Sequence, residues 1–482
     1  MPTWRSLACL GLLLASAGCL GGTSATGPQS GDGSTLRATW RDPAGNGELQ
    51  PGPGEPLVDR TELGERGTAG ATLATLVQIT DAHVTDEESP ARVEMLDRLG
   101  GQYSSAFRPQ ESLTAQVLAG IVKASDAVHP DAVVETGDLI DNAQANELTW
   151  ATTILNGGTA RPDSGAPGYT GVQSASNPDP LYYRPAVDPP QFPGLLTRAQ
   201  RPVHSPGLNA PWYPLPGNHD LLVQGNLAAD PATEAVAVGS RKLVELSPTV
   251  TRLAREGQLT PQLVDSLLAH GLPGRTMAVP PDPRRRLLSP AEAVAGLRSA
   301  SGHGGTGPLM DDVVDVGDRV RLLLLDTAPR DQGAAGVVQP EQVGWVRDQL
   351  AAAGDRWMIV FSSTPLTETS GAKPVLALLD ADPHVVAAVA GDVHRNSIEP
   401  RRTAAGGYWL ITTSSLADYP QQARVLRLRR AGDGVVLETW MLNATGEPLA
   451  DTSRGLAFLD YQGGRPRHLA GRPADRNARL WR

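Results

Sequence analysis

Four short strings hold side chains that can bind a metal ion or move a proton: Thr80-Asp81-Ala82-His83, Gly137-Asp138-Leu139-Ile140-Asp141-Asn142, Gly217-Asn218-His219-Asp220 and Gly391-Asp392-Val393-His394. Carboxylate, imidazole and amide donors suit hard to borderline divalent cations. Asp81 and His83 are separated by one residue. On an extended strand both would point to the same side and hold one ion together. Any one string alone is weak, because Gly-Asp and Asn-His pairs also occur in ordinary turns. The signal lies in their conjunction: three of the four follow an apolar run that reads as a buried strand. Ligands gather at strand carboxyl ends in layered α/β folds.

In this order the strings resemble the D-x-H, G-D-x-x-D, G-N-H-D and G-x-H motifs of the calcineurin-like metallophosphoesterases. The resemblance implies an α/β (α+β) fold, a four-layer αββα sandwich of two mixed β-sheets of the metallo-dependent phosphatase type. It also implies two divalent ions, Mn, Mg, Fe or Zn, roughly 3.5–4 Å apart, which clamp a phosphoryl group and make hydroxide available at neutral pH. By the same resemblance Asp81, His83 and His394 hold the first ion, Asp138 bridges both, and Asn218 holds the second. His219 is then not a ligand but sits over the substrate, as general acid or as donor to the phosphate, with Asp220 tuning its imidazole.

Two departures from the family pattern fall on the second ion. Where the family has a ligand His before a polar residue and Pro, this chain reads Phe361-Ser362-Ser363-Thr364-Pro365. Where the last motif reads G-H-x-H, Asp392 replaces the first His. The second site is therefore expected to be all-oxygen and weaker: Asp138, Asn218 and Asp392, with water and a contribution from Ser363, Thr364 or Glu368. Such a site favours Mg²⁺, Mn²⁺ or Ca²⁺ over Zn²⁺. Asp141 stands where the purple acid phosphatases carry a Tyr ligand, so no purple chromophore is expected.

Elements that position these strings are visible in the hydrophobic pattern. Thr72 to Ile79 reads as a strand, Glu111 to Val128 as a helix and Asp131 to Thr136 as a second strand. Further strands are expected at Val320 to Leu325, Trp357 to Phe361, Val385 to Val389 and Tyr408 to Thr412, with a helix from Pro340 to about Ala353. A hairpin follows, Arg424 to Arg430 and Val435 to Leu442 around Gly432-Asp433-Gly434. The metallophosphoesterase domain is placed at 71–465, with inserts at about 143–210 and 221–308 and a C-terminal tail at 466–482. The inserts are Pro-rich and read as loops or lids that shape a substrate mouth. Ser289-Pro290-Ala291-Glu292 in the second is a capping-box signature. His303, between flexible glycines, is free to approach a phosphate.

The first 19 residues read as a signal peptide: Arg5, an apolar run from Leu7 to Leu14, then small residues before Cys19. The arrangement resembles a lipoprotein signal in which a lipid on Cys19 would attach the chain to a membrane, although Ser16 leaves ordinary cleavage open. Residues 20–70, rich in Gly, Ser, Thr and Pro, read as a flexible linker. Cys9 and Cys19 are the chain's two cysteines, so the mature protein forms no internal disulfide and depends on a buried core. A formal net charge of −10 speaks against a nucleic-acid surface. Likeness to exported bacterial metallophosphoesterases with long inserts is carried by Gly137 to Glu147, the Gly302-His303-Gly304 turn and the stretch from Asp418 to Arg424.

Two functions follow as expectations: an exported phosphoesterase acting on a phosphorylated small molecule or envelope component, or a degenerate relative that binds without turnover. The double substitution Ser363→His with Asp392→His should raise Zn²⁺ affinity and lower the dependence on millimolar Mn²⁺ or Mg²⁺, because it replaces hard donors with imidazole. Metal-binding titrations check this, and identical metal profiles in both proteins would remove those positions from the second ion.

Overall fold

The computed structural model describes residues 33–100, 106–260, 263–264, 266–267, 271, 273–460 and 467–482. The expected signal peptide and Cys19 lie outside the described residues. Strict alternation along the central strands explains the layers. In the strand Thr72–Ile79, Ala74 and Leu76 face one way and Val77 and Ile79 the other, and both sets are buried. In Val320–Leu325, Leu322 and Leu324 share a core with Ala74 and Leu76, while Leu323 and Leu325 face a different one. Two sheets therefore pack face to face, each covered outside by helices.

The first sheet has seven strands, in the order Val58–Arg60, Ala478–Trp481, Gly434–Asn443, Gln422–Ala431, Thr72–Ile79, Ala132–Glu135 and Trp212–Pro214. Its last three are parallel, and the long hairpin pairs antiparallel with Thr72–Ile79. The second sheet has six, in the order Asp312–Val316, Val320–Leu325, Trp357–Ser362, Val385–Ala390, Tyr408–Thr412 and Ser397–Arg401. Four central strands run parallel and the two edges antiparallel. Helices Thr114–Asp126 and Ala145–Asn156 cover the first sheet through Val117, Leu118, Ile121, Ala151 and Ile154. Helices Pro340–Ala353 and Lys373–Ala381 cover the second through Val346, Val375 and Leu379. This is the αββα sandwich, with two mixed sheets.

Several boundaries differ from the sequence reading. Residues 33–70 are not a tether throughout: Ala38–Arg41 pairs with Gln50–Pro53, and Val58–Arg60 adds a parallel strand beside Ala478–Leu480. Thr35 donates to Asn477 Oδ1 at 2.8 Å, and Arg476 pairs with Glu55 at 2.7 Å. Strands of three or four residues leave no visible period, and the strand partner of Val58–Arg60 lies more than 400 residues away. The tail likewise supplies a strand inside the first sheet. Helix Ala145–Asn156 belongs to the core rather than to an insert, because Leu148, Ala151, Ile154 and Leu155 form an apolar stripe buried there. Helix Pro290–Ser301 joins the same layer, starting at the capping box of Ser289 and Glu292 and ending at Gly302. No helix among the described residues is long and apolar enough to cross a membrane.

Leu480 is fully buried between the sheets. Leu480→Ala should therefore cost about 2–5 kcal/mol of stability, as for other buried leucines. Chemical denaturation checks it. A loss below about 0.5 kcal/mol, the range of surface substitutions, would place the tail strand outside the core.

Candidate metal centre

Each motif leaves the carboxyl end of a parallel strand. Asp81 and His83 follow Thr72–Ile79, Asp138 follows Ala132–Glu135, and Asn218 follows Trp212–Pro214 across the first sheet. Ser363 follows Trp357–Ser362, and Asp392 with His394 follows Val385–Ala390 in the second. The backbone N–H of Asp392 donates to Asp81 Oδ1 at 3.1 Å, joining the two sheets at their tips. Asp81 and His83 lie beyond the strand, not on it. Their shared direction comes from left-handed backbone, φ 51° and 43°, where strand alternation was expected. Asp138, Asp392 and His394 are also left-handed, with φ 53°, 64° and 51°. Such conformations cost about 1–3 kcal/mol each and persist where the surroundings impose them.

His83 Nδ1 lies 2.9 Å from Asp141 Oδ1, and His394 Nδ1 lies 2.6 Å from Asp418 Oδ2. A carboxylate accepts, so each Nδ1 carries a proton and each Nε2 is turned inward. The two Nε2 atoms stand 3.3 Å apart, with Asp81 Oδ1 3.5 Å from His394 Nε2 and Asp138 Oδ2 3.8 Å from His83 Nε2. Two ligands of one ion at about 2.0–2.1 Å are themselves about 3.3 Å apart, so these atoms fit a shared cation. Gly391 completes the cradle: a Cβ there would stand 1.9 Å from Thr80 Oγ1 and 2.5 Å from Asp81 Oδ2.

Among the described residues, two groups bring three such atoms within 4.8 Å of one another: Asp81, His83 and His394, and His83, Asp141 and His219. The second group spends its atoms internally, on the His83–Asp141 bond and on a 2.7 Å bond from His219 Nδ1 to the Asp141 carbonyl. The first group is therefore the candidate for holding a cation. Asp138 borders it and also accepts the His219 N–H at 2.8 Å through Oδ1. Asn218 donates through Nδ2 to the Gly225 carbonyl at 3.0 Å, which leaves its oxygen as the available donor atom. Ser363 adjoins the Asp138 loop: a Cβ on Gly137 would meet its Oγ at 2.7 Å. Asp392 enters neither group, although its charge acts on Asp138.

Charge at the site calls for a cation. Burial, and then the carboxylates of Asp81, Asp220 and Asp392, push the Asp138 carboxyl well above its usual range. Burial and Asp81 push Asp392 up to about 7. Burial opposes charge on His394, but Asp81 and Asp418 outweigh it and hold its imidazole protonated up to about 10. Burial and His83 lower His219 to about 3, so it is neutral near pH 7.

Asp220 does not reach the His219 ring. Its carboxylate accepts from the backbone N–H groups of Gly217 and Ile140 at 2.8 and 3.0 Å, tying the second and third motif loops together. The orienting partner of His219 is Asp141. Gly225, at φ 67°, leaves room for this ring, since a Cβ there would stand 2.6 Å from His219 Nε2. His303 is elsewhere, against Tyr213 with ring centroids 4.3 Å apart and Nε2 3.0 Å from the Trp212 carbonyl. Asp418, Arg108 and Arg92 were missed as site residues because they lie in irregular segments without motif spacing.

No protein-family model matches the chain, and no curated protein matches it. Among solved structures it is similar to a dimetal phosphatase from Danio rerio, with 12% identity and a TM-score of 0.39, covering 78% of this chain and 100% of that one. It is also similar to PhoD, with 10% identity, TM-score 0.31, and 83% and 73% coverage. A third is the Thermus thermophilus sulfate thiohydrolase SoxB in complex with glycerol, with 11% identity and TM-score 0.30, covering 82% of this chain and 61% of that one. At these values the site rests on its own geometry.

Because a proton occupies His394 where a cation would bind, uptake of a divalent ion should release at least one proton near pH 7 and weaken as pH falls. Calorimetric titration of Mn²⁺ in buffers of different ionisation enthalpy measures this. Heats independent of the buffer would contradict it.

Proposed function

We propose that the chain is an exported, metal-dependent phosphoesterase acting on a phosphate mono- or diester of a small molecule or envelope component. The observation that carries the reading is the convergence of Asp81, His83 and His394 on one point, with the His219 ring 4.7 Å from that of His83. Bound there, divalent ions would supply Lewis-acid stabilisation of phosphoryl oxygens and a more acidic water. The residues of the chain position and exchange protons. His219 is held by the Asp141 carbonyl through Nδ1, which leaves Nε2 as the nitrogen available for proton transfer. Negative charge on an arriving phosphate raises the proton affinity of that nitrogen, which takes up a proton from solvent and passes it to the leaving oxygen as the P–O bond breaks. Asp138 and Asn218, with Ser363 and Asp392, would hold the second ion through oxygen donors. Export, with a lipid on Cys19, is supported by the N-terminal pattern of Arg5, the apolar run and Cys19.

A second reading is a binding or envelope protein that retains one ion and no turnover. The replacement of imidazole by Ser363 and Asp392 favours it, as does the absence of Asp392 from the tight ligand groups among the described residues. Purified protein with Mn²⁺ should hydrolyse p-nitrophenyl phosphate or bis-p-nitrophenyl phosphate, and His219→Ala should lower kcat about 10²–10⁴-fold with a smaller change in KM. One tightly held ion with no hydrolysis of any ester in a broad panel would favour the binder and overturn the enzyme.

A further inference from the structure

The two imidazoles of the cation site are each backed by a carboxylate, and each carboxylate by a buried arginine. Arg108 donates to Asp418 through both Nε and Nη2, at 3.0 and 3.3 Å, and Asp418 Oδ2 meets His394 Nδ1. Arg92 donates through Nη1 to Asp141, whose other oxygen meets His83 Nδ1. Glu111 joins the two arms: its Oε2 accepts from Arg92 Nη2 at 2.8 Å and from the backbone N–H of Arg108 at 3.1 Å. Arg92, Arg108, Asp141 and Asp418 are all buried.

Stability alone explains this poorly. A buried ion pair gains little over apolar packing, since desolvation of both charges offsets their attraction. The loops it joins are already tied, because Gln110 Nε2 donates to the Ala417 carbonyl at 2.9 Å and Ala417 N–H donates to Asp81 O at 3.2 Å. What the pair adds is direction. A forked guanidinium fixes the plane of the carboxylate, and the fixed carboxylate selects the ring tautomer and aims Nε2 at Asp81 and His83.

We infer that Arg108 and Asp418 are positioning residues for His394, and with Arg92 and Asp141 behind His83 they preset the first ion site in the geometry that binds a divalent cation. This inference rests on the cation-site reading above, and through Arg92, Arg108 and Asp418 it places determinants of metal affinity outside the four motifs. Asp418 would act only through His394, touching neither ion nor substrate.

Cobalt(II) is the probe, because its visible spectrum reports both binding and ligand geometry. Wild-type protein should bind it with an imidazole-type spectrum, and Asp418→Asn should weaken binding about 10–100-fold. Arg108→Gln should weaken it in the same direction, and Arg108→Lys should restore part of the loss. Thermal unfolding without metal identifies variants that fail for lack of folding. Should Asp418→Asn not fold, the Arg108→Lys and Arg108→Gln pair decides alone. Wild-type affinity and spectrum in Asp418→Asn, or in Arg108→Gln where only that variant folds, would overturn the inference while leaving the site reading intact. Failure of the wild-type protein to bind cobalt would overturn the site reading and this inference with it.

Discussion

Two imidazole nitrogens, His83 Nε2 and His394 Nε2, face each other across 3.3 Å while their opposite nitrogens are committed to carboxylates. Lone pairs in that arrangement repel unless positive charge lies between them. A proton on His394 would meet the need, and a divalent cation would meet it with more charge and more directional bonds. The surrounding carboxylates act in the same sense: Asp81, Asp138 and Asp392 concentrate negative charge in a buried space where it is costly without a counter-ion.

Much of the architecture serves to bring that pair together. Asp81 and His83 come from the first sheet and His394 from the second, so face-to-face packing of the sheets is what closes the site. Tight approach needs chain reversals directly after the strands, and these appear as left-handed backbone at five of the six expected ligand positions. Each reversal costs free energy, offset by the buried core between the sheets and by bonds such as His83 N–H to the Asp138 carbonyl at 2.9 Å. The residues proposed for a second ion lack this degree of convergence. Asn218 is oriented by Gly225, but Ser363 and Asp392 offer oxygen donors without the paired imidazoles of the first site.

The central strands were legible because each buries both faces in an apolar run, unbroken in Val385–Ala390 and interrupted by Arg321 alone in Val320–Leu325. The motifs were legible because ligand chemistry restricts residue type at fixed spacing. Three things were not. Val58–Arg60 and Ala478–Trp481 are too short to show a period, and they pair with each other across more than 400 residues. The role of Asp220 was misplaced because sequence adjacency to His219 says nothing of direction, and its carboxylate turns to backbone amides instead. Arg108 and Asp418 act across 310 positions, a distance over which a single sequence carries no spacing signal.

The central claim is that Asp81, His83 and His394 hold a divalent cation. Anomalous diffraction from crystals equilibrated with Mn²⁺ tests it most directly. The account predicts a strong peak within about 2.0–2.3 Å of Asp81 oxygen and both Nε2 atoms, with any second peak beside Asp138 and Asn218 of lower occupancy. A map with no peak between His83 and His394, or with the ion held elsewhere, would contradict it.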